Sequence, residues 1–183
     1  MYNLSLLKKV GDDVYISTYV EIRRPELICI GNHVAVDSGF YISTQADLGD
    51  YIHIAPYVHV IGSAKGLLTM GHFTNISLGG KIVCGSDSFL GEGLISAPGL
   101  PEEFRDELKI EPVVFENFAN TGASVTILPG VTLREGSVIG ANSLVTKDTE
   151  PWTIYVGSPA RAIKKRKKEK MIEYAKRLGY EFK

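Results

Sequence analysis

Aliphatic residues recur at every sixth position along most of this chain, and few folds accommodate that spacing. Ile30, Val36, Ile42, Leu48, Ile54 and Val60 follow one another without a break. Four positions after each of the first five stand Val34, Phe40, Ala46, Ile52 and Val58, all apolar. Met70, Ile76 and Ile82 take up the period again, and Phe115, Thr121, Ile127, Leu133, Ile139 and Val145 form a second long block. Val10, Ile16 and Ile22 share the spacing. The next residue is often small or acidic, as at Gly11, Gly31, Asp37, Gly49, Ala55, Gly71, Gly122 and Gly140.

A period of six is neither the 3.6 of a helix nor the plain alternation of a strand. Only the first and fifth positions of each hexad are reliably apolar. A chain that turns by about 120° after each hexad points both positions inward on each of three flat faces. Three hexads then make one triangular coil of about 18 residues, and coils stack like neighbouring strands about 4.8 Å apart. One coil cannot bury its own apolar side, so the rod is cooperative and needs several repeats. The hexads amount to six or seven coils.

The length of 183 residues allows one domain and a tail, and 44% hydrophobic residues are enough for a core. No run approaches the roughly 18 apolar residues of a membrane span. The first ten residues carry no apolar block after their charges, so no signal peptide is expected. Two cysteines, Cys29 and Cys84, make no disulfide framework, and the cytoplasm is the expected compartment. Residues 1–160 hold 18 acids and 10 bases, whereas residues 161–183 hold 3 acids and 10 bases. An acidic body with a basic tail argues against nucleic-acid binding and leaves the tail free to meet phosphates or a partner subunit.

Three runs near the C-terminus carry a resemblance: TGASVTILPG from Thr121, VIGANSLVTKD from Val138 and YVGSPAR from Tyr155. Together with the hexads they resemble the hexapeptide-repeat acyltransferases, over about residues 10–165. The resemblance implies an all-β fold, a left-handed parallel β-helix shaped as a triangular prism, with a protruding loop and a short C-terminal α-helix. It further implies a homotrimer, an active site between two subunits, and acyl-coenzyme A lying along the coils. We read residues 1–161 as the β-helix domain, with the loop at about 97–112, and residues 162–183 as a helix and tail.

Function in a solenoid gathers where insertions leave the regular coil. Extra residues fall around Arg24-Pro25, at Ser63 to Gly66, at Cys84 to Ser88, and from about Ala97 to Pro112 with Glu102, Glu103, Asp106 and Glu107. From about Ala162 to Leu178 the sequence reads as a helix, with Ile163, Met171, Ile172, Tyr174 and Ala175 on an apolar side and Lys164 to Lys168 on the wet side. Such a helix is placed to cap the open end of the prism.

The family's usual base is a His in or near the long loop, and the loop here has none. Relatives that acetylate nucleotide-linked amino sugars carry an upstream His where this chain has Thr44. A sugar hydroxyl needs a base to attack a thioester, whereas an amine needs only to shed the proton of its ammonium form. The missing His therefore points to an amine acceptor.

The run from Ile76 to Glu92, with Ser77, then Ser86-Asp87, then Gly91-Glu92, resembles N-acyltransferases of nucleotide-linked 4-amino-4,6-dideoxy sugars. That resemblance assigns Asp87 and Glu92 to the amino group and Ser77 to the thioester. The implied reaction is acetyl transfer from acetyl-CoA to a sugar such as dTDP-4-amino-4,6-dideoxyglucose, for surface polysaccharides such as the lipopolysaccharide O-antigen. The alternative is O-acetylation of a sugar hydroxyl with His72 or His59 as base. Small residues at Ala123 and Ala141 admit the pantetheine arm, and Lys147, Arg161 and Lys164 are candidates for the coenzyme A phosphates. A zinc site needs converging histidines; His33, His53, His59 and His72 do not converge at these spacings, so no metal is expected.

Overall fold

The computed structural model describes residues 1–182 and is a parallel β-solenoid of about seven turns, the left-handed β-helix of the expected fold class. Three sheets run the length of the rod. The first face stacks Lys9–Val10, Ile28–Ile30, Gln45–Leu48, Leu67–Met70, Val113–Phe115 and Thr132–Leu133. The second stacks Val14–Ile16, Val34–Val36, Ile52–Ile54, Asn75–Ile76, Asn120–Thr121, Val138–Ile139 and Thr153–Val156. The third stacks Glu21–Ile22, Tyr41–Ile42, His59–Ile61, Lys81–Val83, Thr126–Ile127 and Leu144–Val145. Residues at the periodic positions fill the interior: Ile16, Ile54, Leu68, Ile76, Ile82, Phe115, Ile127, Leu133 and Ile139 are all but inaccessible. Each buried aliphatic side chain contributes about 1.5–3 kcal/mol, and only the stack provides that burial.

Register shows where the chain leaves its period. Val34 pairs with Ile52, 18 positions on, as an uninterrupted coil requires. Lys9 pairs with Cys29, Leu68 with Ala46 and Leu68 with Val113, so coils there advance by 20, 22 and 45 positions. Every interruption falls at the corner between the third and first faces. The two breaks expected at Cys84 and at Ala97 are one excursion, which departs after Cys84 and rejoins at Val113. Leu90, eight residues after Ile82 and so where the period would resume past a two-residue insertion, stands in that arm and is exposed.

The corner between the first and second faces is regular throughout. Asp13, His33, Tyr51, Phe73, Phe118, Gly136 and Trp152 occupy it with φ between 51° and 65°. Their side chains form an outer ladder: Tyr51 stacks on His33 at 4.6 Å and on Phe73 at 5.0 Å, and Phe73 on Phe118 at 5.3 Å. Gly136 interrupts the ladder because the Trp152 ring lies where its Cβ would be, 2.3 Å away. Beside the rings runs a polar ladder, in which Asn32, Asp50, His72 and Asn117 each accept an N–H from the coil before.

The C-terminal segment departs from expectation. Arg161–Lys165 is a strand, not helix, and pairs antiparallel with Thr153–Val156. It closes the second sheet with an exposed, charged edge that resists further pairing. The helix is Glu169–Arg177, and it lies along the aromatic corner instead of capping the end. Met171, Ile172 and Ala175 pack towards Phe118 and Trp152, while Ile163 and Tyr174 stay exposed. The aromatic ladder wins the helix because it offers apolar area, whereas the end of the rod is already closed by the strand. Past the helix, Tyr180 and Phe182 continue over Phe73.

Candidate active site

The arm at the interrupted corner stands on a two-stranded antiparallel stem, in which Gly85–Asp87 pairs with Leu108–Ile110. Its base sits tightly on the coil below. A Cβ on Gly62 would lie 2.6 Å from Gly85 N, so the Ser63–Gly66 insertion packs directly under the departing chain. Asp87 ends the first stem strand, paired with Leu108, rather than standing in a corner bulge. Its Oδ1 accepts the Ser96 N–H at 3.0 Å, and among the described residues its Oδ2 has no hydrogen-bond partner. Glu92 lies farther out on the same arm and is exposed. Around both stand exposed apolar side chains, with Phe89 68% and Leu90 74% exposed, and Leu94 and Ile95 close behind.

The corner between the second and third faces carries a different set. Ser77 follows Ile76, and its N–H donates to Thr121 Oγ1 at 3.2 Å. Ser124 N–H donates to Leu78 O, and Asn142 N–H to Ala123 O. Ser77, Ala123 and Ala141 thus stand on successive coils of one corner, a track of small residues down the rod. Farther along, a groove of about 170 Å³ is lined by Lys147, Asp148, Tyr155, Ala160, Arg161 and Ala162. Lys147 and Arg161 come together there, while Lys164 pairs with Ile154 in the closing strand and does not line it. Ser77 and Asp87 are separated by the strand Lys81–Val83 and do not meet within one chain.

Three of the histidines, His33, His53 and His72, are engaged elsewhere. His33 Nδ1 lies 2.9 Å from Asp13 Oδ2, and His53 Nε2 lies 2.8 Å from Asp37 Oδ2. His53 and His59 stand on strands of adjacent faces rather than at corners. His72 belongs to the polar ladder of the aromatic corner, where its Nδ1 accepts the Asp50 N–H at 3.0 Å. Across Asp50, Tyr180 donates its hydroxyl to Oδ2 at 2.7 Å. Burial alone would raise the Asp50 carboxyl, but the bonds from Asn32 and Tyr180 and the nearby His72 outweigh it and hold it below the ordinary value. Burial first, then the Asp50 carboxylate, pushes Tyr180 up to about 12. Thr44 is fully buried and donates to Gln45 O, so the position of the relatives' upstream His faces the interior. Burial pushes the Cys84 thiol up to about 11, which leaves it inert at neutral pH. Among the described residues no group of three or more His, Cys, Asp or Glu is placed to hold a metal ion.

A three-sided rod with small residues down one corner and a carboxylate-bearing arm at the next defines a class, the solenoid transferases built from hexapeptide repeats. The dTDP-4-amino-4,6-dideoxy-D-glucose acyltransferase of Escherichia coli is 36% identical over 169 residues, which cover 91% of this chain and 85% of that one. The crystal structure of an aspartate-to-asparagine mutant of AntD, an N-acyltransferase from Bacillus cereus, in complex with dTDP and Coenzyme A matches with a TM-score of 0.88 and 32% identity, over 94% of this chain and 92% of that chain. A hexapeptide-repeat acetyltransferase from Vibrio cholerae, at 22% identity and TM-score 0.56 over 89% of this chain and 76% of that chain, supports the fold alone. No protein-family model matches the sequence. The chain belongs to the hexapeptide-repeat acyltransferases, in the group of dTDP-amino-sugar acyltransferases.

Proposed function

We propose that this enzyme transfers the acetyl group of acetyl-CoA to the 4-amino group of dTDP-4-amino-4,6-dideoxyglucose. The observation that carries the reading is the likeness to the E. coli acyltransferase across 91% of the chain. AntD supports it: that N-acyltransferase was crystallised with dTDP-4-amino-4,6-dideoxyglucose and Coenzyme A, and with substitutions at a serine and an aspartate whose spacing equals that of Ser77 and Asp87.

Asp87 holds the substrate ammonium through its free Oδ2 and takes its proton, and the exposed Glu92 adds a second negative charge on the same arm. The amine nitrogen then attacks the thioester carbonyl carbon. Ser77 and neighbouring main-chain N–H groups steady the oxyanion until the carbon–sulfur bond breaks, the nitrogen's remaining excess proton passes to the sulfur, and coenzyme A leaves as the thiol. Pantetheine follows Ala123 and Ala141, with its phosphates near Lys147 and Arg161 and the more distant Lys164. His72 has no part in this scheme.

The active unit in this reading is a homotrimer. Ser77 and Asp87 lie on opposite sides of the third face, and the arm's apolar side chains need cover, so the arm of one copy closes over the small-residue corner of the next. In this reading the reaction takes place in the cytoplasm, ahead of the use of the sugar in O-antigen or another surface polysaccharide. A panel of nucleotide-linked amino sugars incubated with acetyl-CoA and read by mass tests the proposal. The 4-amino dTDP sugar should gain one acetyl group fastest; preference for an unaminated sugar would overturn it.

A further inference from the structure

The arm has little apolar packing to hold it, since Phe89, Leu90, Leu94, Ile95 and Phe104 are all exposed. Polar bonds shape it, and several of them converge on one side chain. Of the acidic residues clustered between 102 and 107, Glu102, Glu103 and Glu107 face solvent, whereas Asp106 is 7% exposed. Its Oδ2 accepts the Leu90 N–H at 3.1 Å and its Oδ1 accepts the Glu107 N–H at 2.9 Å. Its own N–H donates to Leu94 O at 2.8 Å. The buried Ser88 hydroxyl lies beside the same carboxylate but outside good hydrogen-bonding geometry. Burial would raise the Asp106 carboxyl, and the surrounding donors, with the Gly91 N–H among them, instead hold it below the ordinary value. It is therefore an ionised hub at neutral pH.

These contacts bracket the chain between Asp87 and Glu92. Ser88 N–H also donates to Glu107 O at 2.9 Å, so the outgoing strand is clamped to the residue that follows Asp106. We propose that Asp106 is a positioning residue, which fixes the turn between Asp87 and Glu92 and so the direction of the amine-binding carboxylate. It touches no substrate. The proposal rests on the role given to Asp87 above.

Asp106→Asn tests it, because one of the two oxygens becomes an NH2 group facing an N–H donor. With dTDP-4-amino-4,6-dideoxyglucose and acetyl-CoA, kcat should fall about tenfold or more, as small misplacements of a reacting group do. The KM for acetyl-CoA should change less than about twofold, and the unfolding midpoint of the solenoid should hold. In an Asp87→Asn background the same substitution should cost little more, since it acts through Asp87. Unchanged kcat, or a full further loss in that background, overturns the proposal. A silent Asp106→Asn beside an inactive Asp87→Asn leaves the Asp87 reading standing, whereas an active Asp87→Asn removes both. Amide exchange on the unsubstituted enzyme is a second measurement: Leu90 and Gly91 should be protected, and exchange at free-chain rates would overturn the idea.

Discussion

At the aromatic corner the chain repeats itself coil after coil, with left-handed residues from Asp13 to Trp152 and rings in stacking contact. At the corner between the third and first faces it leaves the rod three times, and the third departure is the arm that carries Asp87 and Glu92. Both corners close the same coils. The difference shows that a solenoid can lose its period at one corner without losing register at the others, because each face is held by its own ladder of hydrogen bonds. The aromatic stacking is concentrated on one edge, and the departures from the rod on another.

The sharpest break of this comparison is at Phe118, which is buried between Phe73, Trp152 and the C-terminal helix. Phe118→Ala should cost about 3–5 kcal/mol of stability, read by urea unfolding, while the kcat of the folded fraction stays near that of the parent. Asp87→Asn should do the reverse. Turnover should fall about a hundredfold or more, as for loss of a proton acceptor, with the unfolding midpoint unmoved. Near-normal turnover would take Asp87 out of the scheme and leave the arm without its function.

A smaller effect should come from Tyr180→Phe, which removes the 2.7 Å hydrogen bond to Asp50 and should cost about 1 kcal/mol. The pH dependence has a definite sign. Tyr180 titrates higher in the folded protein, at about 12, than its ordinary 10.0, so its contribution is complete below pH 10 and is lost as pH rises towards 12. Asp50 is depressed on folding, so its contribution holds above the ordinary carboxylate range and fades as pH falls below it. Differential unfolding of parent and variant between pH 8 and 12 should therefore converge at the alkaline end. The mildest change is Lys147→Ala. Its side chain is exposed, and a solvent-exposed ion pair contributes up to about 1 kcal/mol. The KM for acetyl-CoA should rise about threefold, less at high salt, with kcat unchanged.

Much of the rod is legible in the sequence. The six-residue period names the buried residues, and the ten-residue step from Val60 to Met70 marks an insertion that the structure contains. The arm was harder to read. Leu90 falls eight residues after Ile82, as a coil position would after a two-residue insertion, and that coincidence makes one excursion look like two. Asp87 was legible only through a likeness of local wording, since nothing in spacing separates a stem residue from a turn residue. The same limit applies to His72, Thr44 and Asp106. Whether a polar side chain meets solvent, a neighbouring coil or another part of its own arm depends on residues 16 to 130 positions away, as between Asp106 and Leu90, Asp50 and His72, and Tyr180 and Asp50.

The amino-acid order alone therefore settles the three-sided coil, because burying two apolar positions in every six has one economical geometry. It also settles that the chain must interrupt itself, since surplus residues cannot enter a closed coil. Only the folded molecule decides that the interruptions share a corner, that the C-terminal helix lies on the aromatic ladder, and that Asp106 turns inward to the Leu90 N–H. The reason is range: periodicity records what each residue does to its own coil, whereas these outcomes come from competition among distant surfaces for the same area and the same N–H groups.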